Sequence, residues 1–246
     1  MITLRLGNRG RSVRILQQRL NQRLLPSPGL NEDGIFGPLT REAVLQFQQQ
    51  NQLRPVDGVV GRRTWAALLG PFEIDFMIQG ADQVPRLTQP SNMTCWAALG
   101  TMLMAWRTGN RSLTMTQAMA QADQNANVSP TYSDRLRQDL GLDPEETGPF
   151  ATACGLRSSG LQNFSVSSWM AMLRAHGPIG VVTREPSGIH GRVILGMTVL
   201  GNGHPEETFF HVIDPARGDE YDDDLPTFAH RFERVRMDWR QVWYNP

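Results

Sequence analysis

The sequence predicts an α+β protein in two parts: a small all-α domain at the N-terminus, then a larger domain in which helices precede an antiparallel sheet. Three observations carry this. Up to residue 70, apolar residues recur at helical spacing around two copies of a glycine-containing box. After residue 95 a long apolar helical pattern begins, and from residue 179 the period changes to two. A chain of 246 residues accommodates one large domain or two modest ones, and 40% apolar residues suffice for ordinary cores rather than disorder.

Residues 10–24 place Val13, Leu16, Leu20 and Leu24 on one face of a first helix, with Arg and Gln on the other and Ser12 as its expected cap. Pro26, Pro28 and Gly29 stop it. Pro38 suits the first turn of a second helix that turns Ala43, Val44, Phe47 and Leu53 inward. A short third helix, Trp65 to Leu69, is closed by Gly70 and Pro71. Asp33 and Asp57 each open an Asp-Gly-x-x-Gly-x-x-Thr box, an internal repeat with a period of 24 residues. The glycines are expected at positive φ, the aspartates on turn amides and the threonines against the following helices.

With the opening Leu-Gly-x-x-Gly-x-x-Val-x-x-Leu-Gln-x-x-Leu from Leu6 to Leu20, these boxes make residues 4–70 similar to the small three-helix peptidoglycan-binding domain found beside many cell-wall hydrolases. The resemblance implies a domain of residues 1–70 that tethers the chain to the wall. The box residues are then structural, and ligand contact falls to exposed neighbours, Phe36, Arg62 and Arg63. Ten arginines against four acids give residues 1–70 a net charge of +6, while the remainder, with fourteen against twenty, carries −6. A basic module suits an anionic wall. It also suits nucleic acid, but no base-reading motif accompanies it and no nucleic-acid partner is expected.

Residues 71–84 read as a linker and 85–246 as the second domain, although the alternation of Phe72, Ile74, Phe76 and Ile78 suggests a short strand at the boundary. The stretch Gln89-Pro-Ser-Asn-Met-Thr-Cys95-Trp-Ala follows. Trp96, Leu99, Leu103 and Trp106 recur at steps of three and four, the period of a buried helix face, and the turn residues Pro90, Ser91 and Asn92 put Cys95 in its first turn. A helix N-terminus carries partial positive charge and unpaired N–H groups, both of which favour thiolate over thiol. Gln89, six residues upstream, can aim its amide at the atom faced by the Cys95 backbone N–H. Together they would form an oxyanion hole.

This segment resembles the active-site segment of the papain-like cysteine peptidases, in which a Gln and five residues precede Cys-Trp-Ala at the head of a long buried helix. Gln89, Cys95, Trp96 and Ala97 carry the match. The resemblance implies a papain-like domain that attacks amides with Cys95, using a histidine as base. His190 heads a strand ahead of Val193, Leu195, Met197 and Val199, as does the histidine of that family. The next strand ends in Asp214-Pro-Ala-Arg-Gly218, and bacterial members often carry Asp-Pro-x-x-Gly where plant papains use Asn. Asp214 then orients the imidazole. The other histidines fit less well. His176 sits at a helix end before Gly-Pro, His204 and His230 lie in polar loop-like contexts, and His211 points to the strand face opposite Asp214.

Between these motifs, residues 110–147 read as helices and loops with Met115, Ala118, Met119 and Ala122 on one face, and Ser167 to Ala175 as a further helix. Strands are expected at 179–183, 190–200 and 208–214, with strand-like pieces on to Trp243. Cys154 reads as an ordinary free thiol, and two cysteines make no disulfide framework. Asp222-Asp223-Asp224 reads as a solvated turn. No His or Cys pair has zinc-ligand spacing and no calcium loop is present, so no metal or cofactor is expected. All basic residues are arginine, which codon bias explains first, though it would also leave a ubiquitin ligase without side-chain acceptors.

No signal peptide or membrane span is legible, so the expectation is a product made in the cytoplasm and carried to the wall by a specialised secretion route or by lysis. The expected partners are peptidoglycan or a peptide or protein substrate, with an immunity protein as the counterpart of an injected effector. The leading expectation is a peptidoglycan amidase or endopeptidase that cuts stem-peptide bonds as an antibacterial effector or lysin. The alternatives are a protein-cleaving effector toxin and a non-catalytic wall-binding protein.

Overall fold

The computed structural model describes residues 3–70, 74–160, 164–185, 188–199, 205–234 and 241–246. Contacts divide the chain into two compact units, Met1–Asp75 with Thr198–Phe209, and Phe76–Met197 with Phe210–Pro246.

In the first unit, helices α1 (Arg11–Arg23), α2 (Pro38–Gln50) and α3 (Arg62–Leu69) close on a core that includes Val13, Leu16, Leu20, Val44, Phe47 and Trp65. Gly10, not Ser12, caps α1, because Ser12 already lies inside the helix and is buried there. The third helix starts at Arg62, three residues earlier than its apolar residues suggest, with Gly61 as its N-cap. Gly34 and Gly58 adopt φ of 73° and 74°, whereas the second glycine of each box, Gly37 or Gly61, is an extended helix cap. The aspartates accept the N–H two residues on, Ile35 and Val59, each at 2.8 Å.

Two glutamines complete the boxes. Gln17 Oε1 accepts the Gly34 N–H and Gln48 Oε1 the Gly58 N–H, both at 2.9 Å. The Gln17 amide nitrogen donates to Asp33, Ile35 O and Thr40, and that of Gln48 to Asp57, Val59 O and Thr64. The repeat is therefore a pair of buried polar clamps.

Phe36 corrects the expected wall-contact set. It is 1% exposed, because its N–H bonds Asn8 O and its carbonyl accepts the Gly7 N–H, which pins the segment and seats the ring in the core. Arg62 and Arg63 are exposed as expected. Arg62 forms an ion pair with Asp75 at 2.9 Å, and Arg63 donates to Arg54 O at 3.2 Å.

The elements that follow are β1 (Ile74–Met77), α4 (Cys95–Thr108), α5 (Met115–Gln124), α6 (Tyr132–Arg137), α7 (Thr147–Ala153), β2 (Arg157–Ser159), α8 (Val166–His176), β3 (Ile179–Glu185), β4 (Gly188–Val199), β5 (Thr208–Asp214), β6 (Asp219–Asp224), α9 (Leu225–Phe232) and β7 (Val242–Tyr244). The sheet order is β2-β7-β3-β4-β5-β6, with β1 also paired to β4. Strands β3 and β4 are antiparallel, with Thr183 opposite His190 and Val181 opposite Arg192. Helices come first and most strands later, the α+β order that the change of period predicts.

The C-terminal region departs from expectation. Residues 225–232 form a helix rather than strand-like pieces, with Leu225, Phe228 and Phe232 buried at steps of three and four, and His230 lies exposed on it. Asp224 caps it by accepting the Thr227 N–H at 2.9 Å. The acidic run is not a solvated turn but the end of β6. His211 Nδ1 lies 2.5 Å from Asp222, and Asp223, 7% exposed, pairs with Arg231. Burial pushes the Asp223 carboxyl up to about 6 in spite of Arg231. Three adjacent acids look solvated from composition alone; their partners come from β5 and α9, which local sequence does not reveal. His204, Phe72 and Leu200 lie outside the described residues. No described helix is long and apolar enough to cross a membrane.

Candidate active site

Cys95 is the first residue of α4, and the turn before it is held by short-range bonds. Ser91 N–H donates to Thr94 Oγ1 at 3.1 Å, and the Met93 N–H donates to Ser91 Oγ at 3.1 Å. Thr94 is the N-cap, but its side chain makes no capping bond and the first turn holds no acidic residue. The helix N-terminus, with its unpaired N–H groups, lies beside the thiol.

Trp96, 5% exposed, anchors the helix head. Its Nε1–H donates to Leu140 O at 3.1 Å and its ring packs edge-on against Phe150. Leu99 faces the sheet at two glycines. A Cβ on Gly180 would lie 3.0 Å from Leu99 Cδ1, and one on Gly191 would lie 3.1 Å from Leu99 Cδ2 and 3.9 Å from the Cys95 carbonyl. Their missing side chains let α4 lie flat on β3 and β4, which brings the Cys95 backbone over the residue next to His190.

His190 Nε2 lies 2.6 Å from Asp214 Oδ1, and the Cys95 side chain acts on the acidity of the imidazole. With Nε2 engaged by Asp214, Nδ1 is the ring nitrogen left for the thiol. Burial alone would push His190 down; the bond to Asp214 and the Cys95 side chain outweigh it and hold the imidazolium up to about 9. Burial likewise disfavours the Asp214 carboxylate, but His190, the Ala216 N–H and Arg192 override it and keep the group well below the usual carboxylate range. The Ala216 bond is 2.9 Å, and Arg192 Nε donates to Asp214 Oδ2 at 3.1 Å.

Gln89 is buried, and its backbone N–H donates to Pro215 O at 2.7 Å, so its strand of chain runs along the turn that follows Asp214. Gly218 permits that approach, since a Cβ there would lie 2.5 Å from Thr88 Oγ1. The Gln89 Oε1 atom is buried with no hydrogen-bond partner among the described residues. The structure therefore joins His190 to Asp214 by a hydrogen bond, sets the Cys95 side chain where it acts on the His190 imidazole, and holds Gln89 against the Asp214 turn. Phe36, Arg62 and Arg63 belong to the other unit.

A cavity of about 260 Å³ opens beside Cys95, lined by Met93, Trp96, Leu142, Val182, Ile189 and Trp243 among others, with no charged side chain among the described residues. Sequence reasoning passed over Leu142 and Ile189, which lie far apart in the chain, and the Arg192 bond to Asp214. Cys154, 1% exposed, has its thiol pushed far up by burial and is inert by comparison. Among the described residues no group of three or more His, Cys, Asp or Glu could hold a metal ion.

A family model described as papain-like cysteine protease AvrRpt2 matches residues 78–233, more than half of the chain. The chain belongs to that family. Residues 9–68 match the model of a peptidoglycan binding domain. The protease domain thus shares its chain with a wall-binding domain, as the two resemblances in the sequence imply, and the matched protease segment contains Gln89, Cys95, His190 and Asp214.

Proposed function

We propose that the protein is a peptidoglycan-targeting amidase or endopeptidase that hydrolyses stem-peptide amide bonds. The observation that carries the reading is the His190–Asp214 hydrogen bond with the Cys95 side chain acting on the same imidazole, in a chain that also carries a peptidoglycan-binding domain. The thiolate of Cys95 attacks the amide carbon. Gln89 and the Cys95 N–H stabilise the oxyanion, and imidazolium His190 protonates the leaving amine as the C–N bond breaks. Water, deprotonated by His190, then cleaves the thioester and restores the thiolate. Asp214 keeps the ring oriented through the cycle and stabilises it each time it is protonated. Delivery to the wall as an injected antibacterial effector, with an immunity protein as its counterpart, or as a lysin, belongs to the same proposal.

Incubation of purified sacculi with the intact protein and with Cys95→Ala, followed by mass spectrometry of the released muropeptides, tests it. Stem-peptide fragments from the intact protein alone are the expected result. An unchanged muropeptide profile overturns the proposal.

One observation favours a second reading, cleavage of proteins. The uncharged cavity beside Cys95 suits an apolar side chain near the scissile bond, whereas stem peptides carry several charged groups. A peptide library cut only where an apolar residue precedes the scissile bond, with sacculi left intact, would support it. The paired His190 and Asp214, with Cys95 at a helix head acting on the same imidazole, argue against a non-catalytic wall-binding protein.

A further inference from the structure

We propose that Arg192 is a positioning residue of this active site, clamping the carboxylate of Asp214 and bracing His190 through Thr183. The inference rests on the proposed roles of Cys95, His190 and Asp214 and adds a fourth group to them. Arg192 stands two residues after His190 on β4, so both side chains project from the same strand face. Arg192 is 5% exposed. Burying a guanidinium costs several kcal/mol unless it is paired in good geometry, so its position calls for a reason beyond packing.

Its bonds supply that reason. Nε donates to Asp214 Oδ2 at 3.1 Å, the oxygen that His190 does not use, and Nη1 donates to Thr183 Oγ1 at 2.7 Å. Thr183, fully buried and opposite His190 in the β3–β4 register, donates its hydroxyl to the His190 carbonyl at 3.3 Å. The circuit closes through the His190 ring, 2.6 Å from Asp214 Oδ1. One guanidinium thereby ties the backbone of the histidine, its partner carboxylate and the neighbouring strand into a ring of hydrogen bonds, which leaves the imidazole little freedom to turn from the sulfur.

The same charge acts on acidity. A cation this close to an imidazolium opposes it, and Arg192 draws His190 down against the upward pull of Asp214 and Cys95. The other charged and titratable groups that act on this corner are Tyr221 and Asp223 from β6 and Arg231 from α9. Arg231 is paired with Asp223, and Tyr221 is held up to about 12 by burial and stays neutral, so among the described residues Arg192 is the cation bonded to the His190–Asp214 pair. Position and charge can be separated by substitution.

The test follows carboxymethylation of Cys95 by iodoacetate against pH, a readout that requires no knowledge of the substrate. In the intact protein the rate falls at high pH as His190 loses its proton and ceases to attract the anionic reagent. In Arg192→Gln the midpoint of that fall is expected to move up by about one pH unit, as removal of a nearby positive charge requires. Arg192→Lys and Thr183→Val keep a cation but break the ring; their midpoints stay in place while carboxymethylation slows by about fivefold or more. A midpoint unmoved in Arg192→Gln, or rates in Arg192→Lys and Thr183→Val equal to the intact protein's, overturns the proposal. A lowered melting temperature in all three variants with no change in midpoint or rate per folded molecule reduces Arg192 to a structural role, which also overturns it. If Arg192→Gln does not fold, Thr183→Val still decides the bracing role. An intact protein whose rate shows no fall at high pH instead strikes the Cys95–His190 reading itself.

Discussion

Asp214 receives three donors on two oxygens: His190 Nε2 at 2.6 Å and the Ala216 N–H at 2.9 Å on Oδ1, and Arg192 Nε at 3.1 Å on Oδ2. An acceptor-only side chain satisfies all three. An asparagine, used at this place by plant papains, must turn its NH₂ toward one of them. Arginine at 192 therefore explains aspartate at 214.

Asp214→Asn is accordingly expected to lower activity by about 10- to 100-fold and to destabilise the fold by about 1–3 kcal/mol, since it sets donor against donor in a buried site. Pairing it with Arg192→Met removes the clash and should recover part of the stability. Thermal melts of the single and double variants measure the coupling.

The His190 value of about 9 lies above the 6.5 of the free side chain, so the imidazolium bonds stabilise the folded state fully below pH 6.5, and that contribution is lost as pH rises through about 9. Melting temperature is expected to decline across this window. His190→Gln should flatten that decline, and the difference between the two melting curves at pH 6 and pH 9.5 checks the sign.

The two thiols are expected to differ in reactivity. Cys95 sits half-buried at a helix start, whereas Cys154 is 1% exposed with its thiol pushed far up by burial. At neutral pH iodoacetamide should modify Cys95 at least about 100-fold faster than Cys154, which should react only after unfolding. Peptide mass spectrometry of the partly labelled protein reads both rates.

Gly191→Ala should act on activity through Leu99. The new Cβ would lie 3.1 Å from Leu99 Cδ2 and press the Leu99 side chain, one turn along from Cys95, by a few tenths of an ångström. A loss of about 1–2 kcal/mol in stability and about tenfold or more in activity is expected, partly reversed by Leu99→Val. Additive effects in that pair would show that the contact does not position the nucleophile.

Gln48→Glu replaces a donor with a carboxylate facing Asp57 Oδ1 and Val59 O, where the Gln48 amide now donates at 3.2 and 2.9 Å. It is expected to destabilise by about 2–4 kcal/mol, more than Gln48→Met, because the carboxylate adds repulsion to the loss of the bonds. Faster amide hydrogen exchange at Gly58 and Val59 in the full chain locates the effect.

The parts legible in the amino-acid sequence are those whose cause lies between close neighbours. The step of three and four from Trp96 to Trp106, the Pro38 helix start, the paired boxes at Asp33 and Asp57, and the alternation leading to Asp214 are all local, and each matches an element in the structure. Cys95 at a helix head and His190 near a strand start follow from the same short-range patterns. Misreadings arose where local composition has more than one outcome. Ser12 suits a cap as well as a helix interior, Phe36 a groove as well as a core, and three adjacent acids a turn as well as a strand whose charges are met from elsewhere.

By itself, then, the sequence determined the two-part α+β order, the repeat and the residue types required for thiol chemistry, because backbone preference and apolar period act over a few residues. Tertiary structure alone decided that Gln17 and Gln48 clamp the boxes, that Asp222 and Asp223 meet His211 and Arg231, that Gly180 and Gly191 seat α4 on the sheet, and that Arg192 holds Asp214. Each of these joins side chains from different elements, and which ones meet depends on strand register and helix approach, distances that no single stretch of chain contains.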